Sequence, residues 1–261
     1  MKEDLFLNKQ YGLLGRKLTH SFSQRYFRQK FIAEAFLDAE FINFEINDIA
    51  ELPQLIKKHP SLEGFFVTIP YKEEIIGYLN EIDSIAIAIE AVNLVICKRD
   101  DSGFQLKGYN TDVYGFRNSI EPLLTGKEVI ALVLGTGGAS KAVRYVLNKL
   151  GIEVIMVSRT KSNKSDTLIY KELTRPMIKS ADILVNTTPL GMFPNVDSFP
   201  DLPYQYIKNG AIAFDLVYNP EKTLFLAKAE ASGAKIKNGF EMLVKQAEKG
   251  WELLNQDSAS N

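Results

Sequence analysis

The stretch 129–160, VIALVLGTGGASKAVRYVLNKLGIEVIMVSRT, decides how this chain is read. Residues 129–134 form a short continuous apolar run, the pattern of a strand buried on both faces. Gly135, Gly137 and Gly138 follow at once. Val143, Val146, Leu147 and Leu150 then recur at helical spacing, and Gly151 stops the helix. Residues 152–157 are a second apolar run. A strand, glycine turn, helix and strand in this order let backbone N–H groups at a helix start approach a pyrophosphate with no Cβ in the way. Ser140 stands where the third glycine of G-x-G-x-x-G would be. A glycine-rich turn without a ligand is the plainer alternative, and the two flanking strands favour a dinucleotide site over it.

The end of the second strand bears on which dinucleotide. An NAD site carries an acid there, roughly 20 residues on, for the ribose 2′-OH. This chain has Ser158, Arg159 and Thr160, with Lys161 and Lys164 nearby. A carboxylate repels a 2′-phosphate, whereas a guanidinium grips it bidentately. The expected cofactor is therefore NADP; a solvated basic loop is the alternative.

Outward from this unit, 261 residues suit one large or two modest domains, and a hydrophobic fraction of 46% supports a sizeable core. Net charge is −1, from 31 Lys+Arg against 32 Asp+Glu, a balance that does not suggest nucleic acid or an anionic membrane as partner. The single cysteine, Cys97, lies in an apolar run and cannot form an internal disulfide or a cysteine metal cluster. His20 and His59 are isolated, so no metal site is expected. The start MKEDLFLNKQ has no signal-peptide core, and no apolar run approaches the ~20 residues that span a bilayer. A cytoplasmic protein is the expectation.

Ahead of the glycine unit, residues 11–14, 41–46 and 65–69 read as strands, alternating with helical segments after Ser21, over 49–58 and from Tyr71 onward. That alternation predicts a mostly parallel α/β sheet, whose chemistry gathers at the carboxyl ends of strands. Ser21 and Ser23 either cap a helix or bind a carboxylate. Thr68 and Lys72 fall at a strand end, and a lysine in a helix first turn runs against the macrodipole, although a surface lysine is the plainer reading. Residues 91–98 and 105–109 are strands joined by the turn RDDSG. Asp112 then either caps a helix or is an acid at a strand end. A domain boundary fits here. Beyond the glycine unit, 182–185, 211–217 and 235–237 read as strands, and Gly239 opens a long amphipathic helix.

With these segments placed, the chain resembles the shikimate dehydrogenase family, the NADP-dependent shikimate/quinate dehydrogenases. The resemblance rests on HSFS at 20–23, VTIPYK at 67–72, AVN at 91–93, GYNTD at 108–112, GTGGA at 135–139, SRT at 158–160, NTTPLGM at 186–192, DLVYNP at 215–220, and GFEML at 239–243 with Gln246. It implies two α/β domains with a cleft between them. One is a substrate-binding domain over 1–112, completed by the last helix at 239–261, and the other a Rossmann-like NADP-binding domain over 113–238. It also implies NADPH-dependent reduction of 3-dehydroshikimate to shikimate, by a monomer or homodimer. Ser21 and Ser23 would hold the substrate carboxylate. Thr68, Asn93 and Gln246 would contact the ring, and Lys72 and Asp112 would be the catalytic pair. The cofactor would meet Gly135, Gly137, Gly138, Ala139, Ser158, Arg159 and Thr160, then Thr187, Met192, Leu216 and Gly239.

Five positions depart from the family pattern. Lys17 and Gln24 stand where prolines are common, Phe27 where a histidine is, Phe66 where an asparagine is, and Leu94 where a threonine is. Phe66, a ring in place of an amide close to Thr68, bears on substrate affinity and identity. Two other readings stay open from sequence: a relative acting on another polyol such as quinate, and a non-catalytic NADP-binding sensor.

Overall fold

The computed structural model describes residues 9–18, 21–100, 103–161 and 167–258. His20 and Lys164 lie outside them. The chain divides into two compact units, Met1–Thr111 with Ala247–Asn261, and Asp112–Gln246.

The first unit is built on a six-stranded sheet. Strands β1 (Lys9–Gly15), β2 (Ala39–Glu45), β3 (Leu62–Val67), β4 (Glu81–Ile82), β5 (Leu94–Asp100) and β6 (Gly103–Tyr109) lie in the order β2-β1-β3-β5-β6-β4. β1 pairs parallel with β2 and β3, and β4 pairs parallel with β6, while β5 runs antiparallel to both neighbours. Alternation sorts the side chains of this sheet. Leu14, Phe44, Phe65 and Val67 enter one core layer, with Tyr71 and Ile75. Tyr11, Leu13, Phe41, Phe66 and Leu94 enter the other, covered by helix α1 (Phe22–Ala33) and the end of helix α8 (Phe240–Ser258).

That second layer is aromatic. Phe27 of α1 stacks on Phe41 with ring centroids 4.7 Å apart and lies 5.3 Å from Phe66. Trp251 of α8 meets Tyr11 and Phe31, both at 5.1 Å. Ala247, Trp251 and Leu254 make the buried stripe of α8, spaced as one helix face requires. Gly250 is glycine because the Phe66 ring occupies its side-chain space: a Cβ there would stand 2.4 Å from the ring. Phe66 is thus only 4% exposed. Two of the five departures, Phe27 and Phe66, are one packing unit. Phe66→Ala should cost about 3–5 kcal/mol, as large-to-small core changes do, measured by chemical denaturation. Phe66→Leu should lower Tm and leave the substrate KM unchanged.

The helix expected from Tyr71 does not form. A 3-10 turn at Glu74–Tyr78 is followed by β4. Gly77 weakens the helix locally. Asn80 then bonds both backbone groups of Leu106, by its N–H to the carbonyl at 2.9 Å and by its side-chain oxygen to the N–H at 2.8 Å, drawing the chain into the sheet. Helix α2 (Leu52–Lys58) and helix α3 (Ser84–Ile89), capped by Asp83, complete this stretch.

The second unit carries a fully parallel sheet. Strands β7 (Ile130–Leu134), β8 (Glu153–Ser158), β9 (Thr167–Ile169), β10 (Ile183–Asn186), β11 (Ile212–Asp215) and β12 (Lys235–Lys237) are ordered β12-β11-β10-β7-β8-β9. The order reverses between β7 and β10, the switch point where such sheets bind ligands. β10 and β11 are buried along their whole length, as their unbroken apolar runs require. Helices α4 (Asp112–Ile120), α5 (Gly138–Lys149), α6 (Arg175–Ser180) and α7 (Leu224–Ala231) connect the strands.

The division into compact units falls within α8, at 246/247. The reason is local packing. A Cβ on Gly115 of α4 would stand 2.6 Å from the Met242 carbonyl oxygen and 2.9 Å from Gln246, and Lys245 Nζ donates to Asn118 O at 2.7 Å. The first turns of α8 therefore belong with α4. Among the described residues no helix is long and apolar enough to cross a membrane, and no acidic, histidine and cysteine group could hold a metal ion.

Candidate active site

In the first unit the candidate residues leave the sheet along one edge. β1 and β3 end there at Gly15 and Val67. Because β5 runs antiparallel, it begins at the same edge and β6 ends there, with Phe66, Leu94 and Tyr109 in register. Ser21, Thr68, Lys72, Asn93 and Thr111 all follow or precede those strand ends.

Each is fixed by local bonds. Ser21 caps α1, its hydroxyl accepting from Gln24 N at 3.4 Å. The capping reading therefore holds, and the hydroxyl keeps its hydrogen for donation to an anion. Ser23 is the second residue of the helix and half-buried. Gln24 steadies the segment through Nε2 to Phe41 O and by accepting from Asn43 Nδ2. Glu45 accepts from Leu18 N at 2.6 Å.

Thr68 N donates to Leu14 O at 2.9 Å. Lys72 lies in a turn rather than in a helix first turn, so the argument from the macrodipole lapses. The turn is pinned by Tyr71, fully buried, whose hydroxyl donates to Ile46 O at 2.7 Å. Val92 N donates to Lys72 O at 2.8 Å. Its neighbour Asn93, buried, donates to Thr111 Oγ1 at 3.0 Å and accepts from Thr111 N at 2.7 Å. The pair Val92–Asn93 thus holds the Lys72 turn on one side and the residue preceding Asp112 on the other.

Asp112 is the first residue of α4 and 5% exposed. A carboxylate there meets the positive end of the helix. Gln246 is buried in α8 and donates to Leu243 O at 2.9 Å.

In the second unit the candidates occupy the carboxyl ends of parallel strands. Gly135 ends β7 with φ +112, and a Cβ there would stand 2.5 Å from Thr187 Oγ1. Thr187 in turn donates its N–H and its hydroxyl to Leu134 O, at 2.9 and 2.7 Å. Gly137 precedes α5 with extended backbone, φ −80 and ψ −179, and a Cβ there would meet no atom within 4 Å. Packing does not require glycine at this position; a side chain would fill the space before the helix N-terminus, where a pyrophosphate needs close backbone approach. Gly138 and Ala139 form the first turn of α5. Ser140, in the third-glycine position, is buried, and its hydroxyl donates to Gly137 O at 2.6 Å.

This contrast yields a prediction. Gly135→Ala should destabilise by about 1–3 kcal/mol from backbone strain alone, while Gly137→Val should leave Tm nearly unchanged and weaken NADPH binding at least ~10-fold, about 1.4 kcal/mol. Thermal melts beside NADPH titrations check both.

Arg159 and Thr160 are exposed past the end of β8, and Ser158 Oγ accepts from Thr160 N at 3.4 Å. Leu216 and Gly239 lie back to back: Gly239 N donates to Val217 O, and a Cβ at Gly239 would come 2.1 Å from Leu216 O. Met192 is 44% exposed at the end of the turn after β10. The residues present fit a dinucleotide carrying a 2′-phosphate.

Sequence reading gave no role to Asn186, Asp215 and Thr223. Asn186 and Asp215 close the apolar runs ILVN and IAFD, both are fully buried, and they bond each other at 2.9 Å. A polar residue ending a doubly buried strand was the available signal. Burial pushes the Asp215 carboxyl up to about 7, against the pull of donors from Thr223, Val217 and Asn186.

Comparison with known proteins bears on the family. A model of the shikimate dehydrogenase substrate binding domain matches residues 13–95. The shikimate dehydrogenase (NADP(+)) of Caldicellulosiruptor saccharolyticus is 36% identical over 263 residues, 93% of this chain and 92% of that one. The crystal structure of shikimate dehydrogenase 1 from Peptoclostridium difficile superposes with TM-score 0.81 at 35% identity, covering 95% of this chain and 92% of that one. That of shikimate 5-dehydrogenase from Thermus thermophilus, solved with NADP(H) and shikimate, gives TM-score 0.80 at 28% identity, over 94% and 92%. Full-length likeness in sequence and in both sheets leads to one conclusion: the chain belongs to the shikimate dehydrogenase family.

Proposed function

We propose that this chain catalyses the reversible NADPH-dependent reduction of 3-dehydroshikimate to shikimate, a step of aromatic amino acid biosynthesis. The observation that carries the reading is the glycine turn before α5, open at Gly137, with Arg159 beyond the neighbouring strand, in a chain related over nearly its full length to NADP(+) shikimate dehydrogenases. The second unit holds the cofactor, and the first supplies most of the residues for the substrate. The enzyme acts in the cytoplasm as a monomer or homodimer.

Bound NADPH supplies a hydride to one face of the ketone. The protein's task is to hold the substrate and to place a proton at its oxygen. Ser21 and Ser23 donate hydroxyl hydrogens to the substrate carboxylate, and Thr68, Asn93 and Gln246 hold the ring hydroxyls. Lys72 donates the proton and steadies developing negative charge, with Asp112 orienting the ammonium. Gly137 and α5 receive the pyrophosphate, and Arg159 the 2′-phosphate. Thr187, Met192, Leu216 and Gly239 flank the nicotinamide half.

The test follows NADPH absorbance with 3-dehydroshikimate, run beside NADH and beside quinate with NADP. Turnover with NADPH and 3-dehydroshikimate supports the reading. NADPH binding without turnover of either substrate overturns it in favour of a sensor, and faster turnover with quinate or NADH redirects it.

A further inference from the structure

One carboxyl group in the second unit gathers an unusual number of partners. Asp215 Oδ1 accepts from Asn186 Nδ2 at 2.9 Å and from Val217 N at 3.0 Å, and Oδ2 accepts from Thr223 Oγ1 at 2.5 Å. Each partner anchors a different piece of chain. Asn186 passes the order on to the turn after β10: its Oδ1 accepts from Thr188 N at 3.1 Å and Thr188 Oγ1 at 2.6 Å, and its Nδ2 also reaches Leu190 O at 3.3 Å. Val217 fixes the segment leaving β11. Thr223 begins α7, its hydroxyl accepting from Leu226 N at 3.3 Å. The Asp215, Asn186 and Thr223 side chains are at most 1% exposed.

The tied segments are also tied to each other. Leu216 N donates to Asn186 O at 2.9 Å, and Phe193 N donates to Asn219 O at 3.0 Å. Gly191, at φ +88, packs beside Thr223, a Cβ there standing 3.2 Å from Thr223 Cβ. A buried polar group is retained at a cost unless its partners are satisfied, and a satisfied network rigidifies what it touches. What this network touches is the backbone carrying Thr187, Met192 and Leu216, through their chain neighbours Asn186, Thr188 and Val217 and through Leu190.

We propose that Asp215 is a positioning residue for the nicotinamide half of the cofactor, holding the 187–192 turn and the 216–220 segment in one fixed relation through Asn186, Val217 and Thr223. The inference rests on the NADP reading above. The carboxyl contributes no group to the reaction; it sets where Thr187, Met192 and Leu216 stand. A small displacement there is costly, because misplacing reacting atoms by about 1 Å can lower a rate ~100-fold. The adenosine half, received at the end of β8 on the far side of β7 in the sheet order, is independent of it.

The experiment compares wild type with Asp215→Ala and with the milder Thr223→Val, which removes one of the three donors and keeps the shape. NADPH and 2′,5′-ADP, which lacks the nicotinamide, are titrated into each protein, and kcat and both KM values are measured. Asp215→Ala is expected to lower kcat about 10-fold or more, to raise the NADPH Kd severalfold and to leave the 2′,5′-ADP Kd and the 3-dehydroshikimate KM within about twofold. Thr223→Val should show the same selective pattern more weakly, and it carries the test if Asp215→Ala does not fold. Restoration of near-wild-type kcat in Asp215→Asn, whose oxygen can still accept from Asn186 and Val217, supports anchoring by hydrogen bonds. Equal weakening of NADPH and 2′,5′-ADP, or unchanged kcat and NADPH Kd in a folded variant, overturns the proposal. Failure of wild type to bind either ligand overturns the cofactor reading instead.

Discussion

Lys72→Ala should lower kcat by about 100-fold or more, the usual scale for a lost general acid, with the NADPH KM little changed. Two facts separate this from a stability effect. The Lys72 side chain is half-buried in a turn whose backbone is anchored by the Tyr71 hydroxyl on Ile46 O and by Val92 N on Lys72 O, bonds that the substitution leaves in place. The cofactor residues sit in the other unit, on a different sheet. Steady-state kinetics with both substrates varied checks the outcome, and a variant with near-normal turnover removes Lys72 from the mechanism. Asp112→Asn tests the partner. It keeps the shape of a residue buried at the start of α4 and removes the charge, so a comparable loss of kcat is expected, with a small fall in Tm from the carboxylate lost at the positive end of the helix.

Arg159→Ala should change cofactor choice. A hydrogen bond to a charged group contributes about 1.5–3 kcal/mol, so losing the guanidinium should raise the NADPH KM roughly 10- to 100-fold. The NADH KM, with no 2′-phosphate to lose, should stay within about twofold. Arg159 is exposed, and stability should not move. Parallel assays with both cofactors check this; an equal effect on NADPH and NADH would place the phosphate elsewhere.

The second unit was the more legible part of the fold. Its central strands β7, β10 and β11 are short, largely buried apolar runs, each ending at or just before a polar or glycine residue, and that pattern locates them. The glycines at 135 and 137 look alike in sequence yet serve different ends. One is forced by a positive φ and by Thr187, the other leaves space before a helix; only coordinates separate them. The first unit was harder. The stretch after Tyr71 has helical spacing, and a two-residue strand captured through Asn80 overrode it. Phe66 reads in sequence as an intrusion beside Thr68, whereas its ring packs with Phe27 and Gly250. Strand alternation gives the face a side chain takes, not what lies above it. The role of Asp215 is not legible in sequence, since a carboxyl that orders loops through hydrogen bonds leaves no spacing pattern of its own.

The last helix completes a layer laid down at the other end of the chain. Residues 112–246 are contiguous, so a ribosome delivers that unit whole. Tyr11, Phe27 and Phe31 are made far earlier, and Trp251 only after residues 112–246. The nascent first sheet therefore waits with one aromatic flank uncovered while its neighbour already has every residue it needs. Of these two units, the one begun first is completed after the other.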